Sequence, residues 1–139
     1  MRQKGLIIAT LLVVTLILGA CNDKEAIVDT QTNSLVDITS QEQFDNEIET
    51  GVAMIFFHAS WCTRCAAQRP AVETVSEETT FVDVFFGEVE FEDFPDLVKD
   101  RGVQGFPTII IYKDNVEQKR FTGQGHSEEE IRSALNGVL

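Results

Sequence analysis

The sequence is poor in cysteine and histidine, and this shortage narrows the kinds of site that it can build. Only three cysteines and two histidines occur among 139 residues. A structural zinc site needs four ligands, commonly two Cys-x-x-Cys pairs or one pair with two histidines at ligand spacing. The chain has one such pair, Cys62 and Cys65, and its histidines lack that spacing. A structural zinc site is therefore not expected.

Basic residues are also scarce. Lysine and arginine number 11 against 23 aspartate and glutamate residues, and the formal net charge is -12. An acidic chain without a basic patch is repelled by nucleic acid and by anionic lipid headgroups. We therefore expect no nucleic-acid partner, and solubility alone accounts for the charge.

Long hydrophobic runs are lacking as well. Residues 5–20 are uncharged and mostly Leu, Ile, Val, Thr and Ala, but this run is shorter than the ~18 apolar residues of a membrane-spanning helix. Arg2 and Lys4 precede the run, and small residues end it. A charged start, an apolar middle and a small-residue end are typical of a secretory signal.

The end of this run, Leu18-Gly19-Ala20-Cys21, resembles a bacterial lipobox. The resemblance implies cleavage after residue 20 and a lipid-modified Cys21, which anchors the chain on the extracytoplasmic side of the cell membrane. A bacterial lipoprotein carries at least two acyl chains on its cysteine, and two chains give a lasting anchor. An uncleaved anchor with an unmodified Cys21 would place the chain on the same side.

The organisation that follows has three parts. We expect a lipoprotein signal peptide at residues 1–20, a lipidated cysteine with a flexible linker at 21–34 and one domain at 35–139. The linker is polar and lacks aromatic residues, which is typical of a flexible spacer.

Hydrophobic patterning over residues 35–139 predicts the element order β-α-β-α-β-α-β-β-α. Early strands that alternate with helices imply parallel neighbours, and the last two strands form a hairpin around Asp114-Asn115. The predicted fold class is therefore α/β, a mixed central sheet with helices on both faces. We expect strands at 35–38, 52–59, 81–91, 108–112 and 116–122, and helices at about 40–49, 62–78, 94–100 and from 127 onward.

The cysteine pair lies just past a buried strand and opens a helix, and a C-x-x-C near a βαβ pattern indicates a redox motif. The start of a helix presents unpaired N–H groups and the positive end of the helix dipole. A thiolate at Cys62 is stabilised there, so the pKa of its thiol is expected to fall below that of a free cysteine. Cys62 is then the attacking thiol, and Cys65 resolves the mixed disulfide.

Several separately placed motifs resemble the thioredoxin-like thiol–disulfide oxidoreductases. Trp61-Cys62-Thr63-Arg64-Cys65 matches the W-C-x-x-C of that family, and Pro70 matches the proline in its active-site helix. Residues 101–108, RGVQGFPT, match the stretch that carries the cis-proline of the family, and Gly123 fits the glycine after its last strand. The resemblance spans about residues 35–139 and implies a thioredoxin fold.

The resemblance also implies how substrates bind. A cis bond at Phe106-Pro107 would leave the preceding backbone free to pair with an extended substrate segment, while Trp61 and Phe106 add an apolar contact surface. From sequence alone, a trans proline at the start of a strand is the alternative. The implied substrates are cysteine-containing proteins outside the membrane. No organic or metal cofactor is implied, because the disulfide itself carries the electrons.

Two positions depart from the family pattern. The buried aspartate that the family commonly has six residues before the first cysteine is Phe56 here, and the usual nearby lysine is Glu88. Glu88 could serve as a substitute proton acceptor, its pKa raised by burial, or could simply be exposed. His58 could add positive charge near the cysteines or be a core histidine with a hydrogen-bonded ring.

Arg64 bears on the direction of electron flow. A permanent positive charge near the sulfurs favours the thiolate and the reduced form, which makes a more oxidising couple. The sequence therefore favours oxidation or isomerisation of substrates. The alternatives are a thioredoxin-like reductant fed by a membrane electron donor and, in a different class, a copper-binding or partner-docking lipoprotein.

Overall fold

A computed structural model describes residues 35–139, so the expected signal peptide, linker and lipidated Cys21 lie outside the described residues. The strands are β1 (Val36–Asp37), β2 (Val52–His58), β3 (Val84–Glu90), β4 (Thr108–Lys113) and β5 (Val116–Thr122). The helices are α1 (Gln41–Glu49), α2 (Thr63–Ser76), α3 (Pro95–Asp100) and α4 (Glu128–Asn136), with a short 3-10 helix at Thr79–Phe81. None of the helices in this part of the chain is long and apolar enough to cross a membrane.

The five strands form one mixed sheet in the order β1-β3-β2-β4-β5. β3 runs parallel to both β1 and β2, whereas β4 is antiparallel to β2 and to β5. This arrangement confirms the predicted parallel start and hairpin end. Strand β2 occupies the centre, and six of its seven residues are buried. Because β2 is fixed in the core, its carboxyl end fixes the position of the next residues, 59–62, at the edge of the sheet.

The two faces of the sheet bury separate apolar clusters. On one face Met54 and Phe56 of β2 pack with residues of α2 and α4, including Val72 and Ile131. On the other face Ile55 and Phe57 pack with residues of α1 and α3. Successive side chains of a strand point to opposite faces, so an uninterrupted apolar strand is what a sheet covered on both sides requires. The expected helices on both faces are confirmed.

The hairpin between β4 and β5 has a two-residue turn. Asp114 and Asn115 have φ values of 49° and 65°, both in the left-handed region that a type I′ turn requires. The Asp114 carboxylate accepts a hydrogen bond from the N–H of Gly51 at 2.9 Å, which ties this turn to the end of α1. The turn predicted from the Asp-Asn pair is therefore confirmed.

The third predicted strand is shorter than the sequence suggested. We expected it over residues 81–91, but β3 covers Val84–Glu90 and Phe81 ends the 3-10 helix. Phe81 is nevertheless fully buried. Its apolar character therefore indicates burial in the core and not strand structure. The pattern of apolar residues does not distinguish a strand from a short helical turn that precedes it.

Candidate active site

Cys62 and Cys65 are joined by a disulfide at the start of α2, with Cα atoms 5.2 Å apart. Cys62 is the N-cap of this helix, and its Sγ accepts a hydrogen bond from the backbone N–H of Cys65 at 3.1 Å. Cys62 is 9% exposed and Cys65 is 4% exposed. The sulfur nearer the solvent is therefore also the one that receives the N–H donor at the positive end of the helix.

The turn that carries Cys62 is anchored to the end of β3. The N–H of Ser60 donates to the carboxylate of Glu90 at 3.1 Å, and its hydroxyl contacts the carboxylate of Glu92 at 3.2 Å. The N–H of Cys62 donates to the carbonyl of Ala59 at 3.0 Å. These bonds fix the path of the chain between β2 and α2, and they hold the carboxylates of Glu90 and Glu92 beside Ser60, two residues before Cys62.

An apolar surface borders the disulfide. Trp61 is 61% exposed, and its ring meets that of Phe106 edge-on, with centroids 6.2 Å apart. Phe106 in turn packs against Phe91 at 5.2 Å. These three rings, together with Cys62 and Arg64, line a cavity of about 530 Å³ that we call the Cys62 groove. The structure thus brings the predicted contact residues Trp61 and Phe106 to the sulfurs.

The Phe106-Pro107 bond is cis, as the family resemblance implied. Pro107 itself is buried, and its carbonyl accepts a hydrogen bond from the N–H of Gly123 at 2.8 Å. A second cavity of about 500 Å³, the Gly123 groove, is lined by Arg64, Phe106, Thr108 and Gly123, among others. Arg64 and Phe106 line both grooves, so the two form neighbouring parts of one surface.

Glu88 does not have the raised pKa that we expected. Burial alone would raise the pKa of this carboxyl, but contacts with His58 and Arg69 outweigh burial and lower the pKa to about 2. Nor is Glu88 exposed, because its side chain keeps only 12% of its accessible surface. The carboxylate stays ionised at neutral pH and is a poor acceptor for the proton of a thiol. The hypothesis of a proton acceptor with a raised pKa is therefore wrong in the direction of the shift.

The two side chains that contact the Glu88 carboxylate, Arg69 and His58, also pack against Phe56. The guanidinium of Arg69 lies 5.4 Å from the centre of the Phe56 ring, and the ring of His58 stacks on Phe56 at the same centroid distance. The Nε2 of His58 lies 3.0 Å from the Glu88 carboxylate, and its Nδ1 lies 3.3 Å from that of Glu90. The Nε2 contact is within ion-pair distance, but it lacks the angle of a hydrogen bond. His58 is thus a half-buried ring between two carboxylates rather than an ordinary core histidine.

Arg64 is exposed and makes no ion pair with any of residues 35–139. Its charge is therefore not cancelled by a bound carboxylate within the described domain, as the interpretation of Arg64 as a tuning residue requires. Over the same residues, no group of three or more His, Cys, Asp and Glu side chains is arranged to hold a metal ion.

A family model described as thioredoxin matches residues 35–137, which include every side chain of the site above. The chain belongs to the thioredoxin family. A thioredoxin of Chlamydia caviae is 34% identical over 98 residues, covering 70% of this chain and 94% of that protein. The crystal structure of thioredoxin from Trypanosoma brucei brucei has a TM-score of 0.69 at 25% identity, covering 78% of this chain and 93% of that one. A thioredoxin of Malassezia sympodialis shares the fold, with a TM-score of 0.68.

Membership in the thioredoxin family, together with the Cys62–Cys65 disulfide, makes this chain a thiol–disulfide oxidoreductase. Thioredoxin-like proteins act on protein substrates that carry disulfides. The expected fold and enzyme class are therefore confirmed.

Sequence reasoning did not find the contacts of Arg69 with Glu88 and Phe56 or the burial of Gln68. Both lie one turn beyond Cys65, at the i+4 and i+3 positions, which share a helix face with it. Polar side chains on the buried face of an active-site helix are a signal that could have drawn attention to them, because buried polar groups are almost always hydrogen-bonded.

Proposed function

We propose that this chain is a lipid-anchored, extracytoplasmic thiol–disulfide oxidoreductase in which Cys62 is the nucleophile and Cys65 the resolving thiol. The observation that carries the assignment of roles is the position of the Cys62 sulfur at the N-cap of α2, where the N–H of Cys65 donates to it. In the reduced form the same donor and the helix dipole would stabilise a Cys62 thiolate. Cys65 lies deeper and is suited to the second step.

The reducing half-reaction follows from thiol–disulfide exchange. The Cys62 thiolate attacks one sulfur of a substrate disulfide, a mixed disulfide forms, and the other substrate sulfur leaves as a thiolate. The Cys65 thiolate then attacks the Cys62 sulfur, which restores the Cys62–Cys65 bond and releases the second substrate sulfur. Two electrons pass to the substrate, whose thiolates take up protons from solvent. Oxidation of a substrate dithiol is the same sequence reversed.

The Cys62 groove is where we place the substrate segment. Trp61 and Phe106 offer apolar surface on either side of the reactive sulfur, and the peptide before Pro107 faces the same cavity. Pro107 is buried, so its part in the site is to shape the groove rather than to touch the substrate broadly. Substrates on this proposal are cysteine-containing proteins outside the cytoplasmic membrane.

Charges near the sulfurs bear on the direction of electron flow, and they do not all have the same sign. The exposed Arg64 favours a thiolate and thereby an oxidising or isomerising enzyme. Glu90 and Glu92, which hold Ser60 two residues before Cys62, disfavour a thiolate. We propose oxidation or isomerisation because Arg64 lies between the two cysteines in sequence. The two glutamates favour the second candidate, a reductant fed by a membrane electron donor.

The reduction potential of residues 35–139, equilibrated with glutathione, decides between these directions. A value near roughly -120 mV is expected of an oxidant, and one near roughly -270 mV would favour the reductant. Membrane attachment is tested separately in the full chain. The wild-type chain should incorporate a labelled fatty acid and lose residues 1–20, and a Cys21→Ser variant should do neither. A wild-type chain that keeps residues 1–20 and incorporates no label would contradict the lipid anchor.

A further inference from the structure

Gln68 is a buried polar side chain that the redox chemistry itself does not use. It lies on α2 one turn after Cys65 and is only 2% exposed. A buried amide that lost its hydrogen bonds would be costly, so its partners show which parts of the fold it holds.

All the hydrogen bonds of the Gln68 side chain reach one loop, residues 123–127, between β5 and α4. Its Oε1 accepts from the N–H groups of Gly125 at 2.9 Å and His126 at 3.0 Å. Its Nε2 donates to the carbonyl of His126 at 2.7 Å. One side chain thus binds three backbone groups of two successive residues.

The first residue of this loop belongs to the Gly123 groove. Gly123 lines that groove, and its N–H donates to the carbonyl of Pro107 at 2.8 Å. His126 also contacts the end of β5, since its Nε2 lies 3.1 Å from the carbonyl of Thr122 and its ring packs against that of Phe121 with centroids 5.0 Å apart. The hydrogen bonds that join this loop to the redox helix are those of Gln68.

We propose that Gln68 is a positioning residue. It holds the loop of residues 123–127, which includes Gly123, in place relative to the Cys62–Cys65 helix, and so contributes to the binding of extended protein substrates. This inference rests on the proposed function, in which the two grooves receive the substrate segment. Gln68 touches no reacting atom. We expect it to affect the affinity for a polypeptide substrate. A small disulfide that reaches only the Cys62 sulfur does not contact the loop of residues 123–127.

The test compares a small aromatic disulfide with a disulfide-bonded peptide as substrates of the wild-type domain and of Gln68→Met. Methionine has a similar length and apolar character suited to the core, but it cannot make the three bonds. We expect KM for the peptide to rise about fivefold or more, with kcat nearly unchanged, corresponding to the loss of about one net hydrogen bond. The rate with the small disulfide and the reduction potential should change little.

A Gln118→Met variant is the matched control, because Gln118 is exposed on β5 and makes only a local bond to the carbonyl of Val116. Gln68→Glu keeps the acceptor for Gly125 and His126 and should recover part of the peptide KM. If Gln68→Met does not fold, the Gln68→Glu kinetics and the amide exchange of Gly125 and His126 give the same comparison.

Peptide and small-disulfide rates that fall together, or a peptide KM within twofold of the wild-type value, would overturn the role of Gln68. A wild-type domain that reduces or oxidises neither substrate would instead overturn the proposed function. The two failures are therefore distinguishable.

Discussion

The guanidinium of Arg69 lies 5.4 Å from the centre of the Phe56 ring. Phe56 stands where a buried carboxylate is common in the thioredoxin family, and it packs in the same apolar cluster as both cysteines. The charged groups of this region, Glu88 and Arg69, therefore lie at the edge of the core. There the Glu88 carboxylate contacts both Arg69 and His58. Cys65 consequently shares its apolar cluster with an aromatic ring at that position rather than with a carboxylate.

Because of Glu88, the free energy of unfolding is expected to depend on pH in the acid range. Its folded-state pKa of about 2 lies below the ordinary 4.5, so the unfolded chain takes up the proton more readily. The stabilisation is present above about pH 4.5 and is lost as the pH falls towards 2. The shift corresponds to about 3 kcal/mol. We expect Glu88→Gln to lower the free energy of unfolding at pH 7 and to flatten its fall between pH 4.5 and 2, as measured by urea denaturation.

The matched control for this experiment is Glu42→Gln, because Glu42 is exposed on α1, on the other side of the sheet from Arg69. This variant should keep the acid dependence of the wild type. Equal slopes for Glu88→Gln and the wild type in the acid range would show that the ion pairs of Glu88 do not stabilise the fold.

The order of attack predicts which cysteine variant traps substrates. With Cys65→Ser the mixed disulfide on Cys62 cannot be resolved, so substrates should accumulate as adducts on non-reducing gels and by mass spectrometry. With Cys62→Ser few adducts should form, because the remaining sulfur is buried. Trapping by Cys62→Ser but not by Cys65→Ser would reverse the two roles.

Trp61 should matter for substrates far more than for folding. Its side chain is 61% exposed, so truncation removes little packing and should cost less than about 1 kcal/mol of unfolding free energy. An exposed aromatic ring beside a reactive sulfur is suited to anchoring a partner, and its loss should lower kcat/KM for a protein disulfide by about tenfold. Val116→Ala on β5, where Val116 is 58% exposed, serves as the control. Similar kcat/KM values for the two variants would show that Trp61 does not contact the substrate.

Much of this fold could be predicted from the sequence because its signals are local. The apolar run of β2, the Asp114-Asn115 turn and the cysteine pair after a buried strand each report the structure of their own few residues. The capping box of Ser127 and Glu130, with both of its reciprocal bonds formed, belongs to the same class. Local patterns of this kind survive folding because the tertiary structure reinforces them.

In the candidate site, what the sequence did not show are contacts between residues far apart in the chain. The pKa of Glu88 depends on Arg69 from α2 and His58 from β2, and no spacing in the sequence reveals that these three side chains meet. The role proposed for Gln68 depends on hydrogen bonds to a loop 57 residues further along the chain. The burial of such groups could be predicted from the sequence. The partners that determine their pKa values and hydrogen bonds could not.

The central claim is that the Cys62 thiol ionises readily because a helix begins at it. The most direct test is to titrate the reduced domain by the ultraviolet absorbance of its thiolate, using Cys65→Ser to isolate Cys62. The account predicts a thiol pKa clearly below the value of about 8.5 for a free cysteine, with a higher pKa after Arg64→Gln. A pKa at or above that of a free cysteine would contradict it.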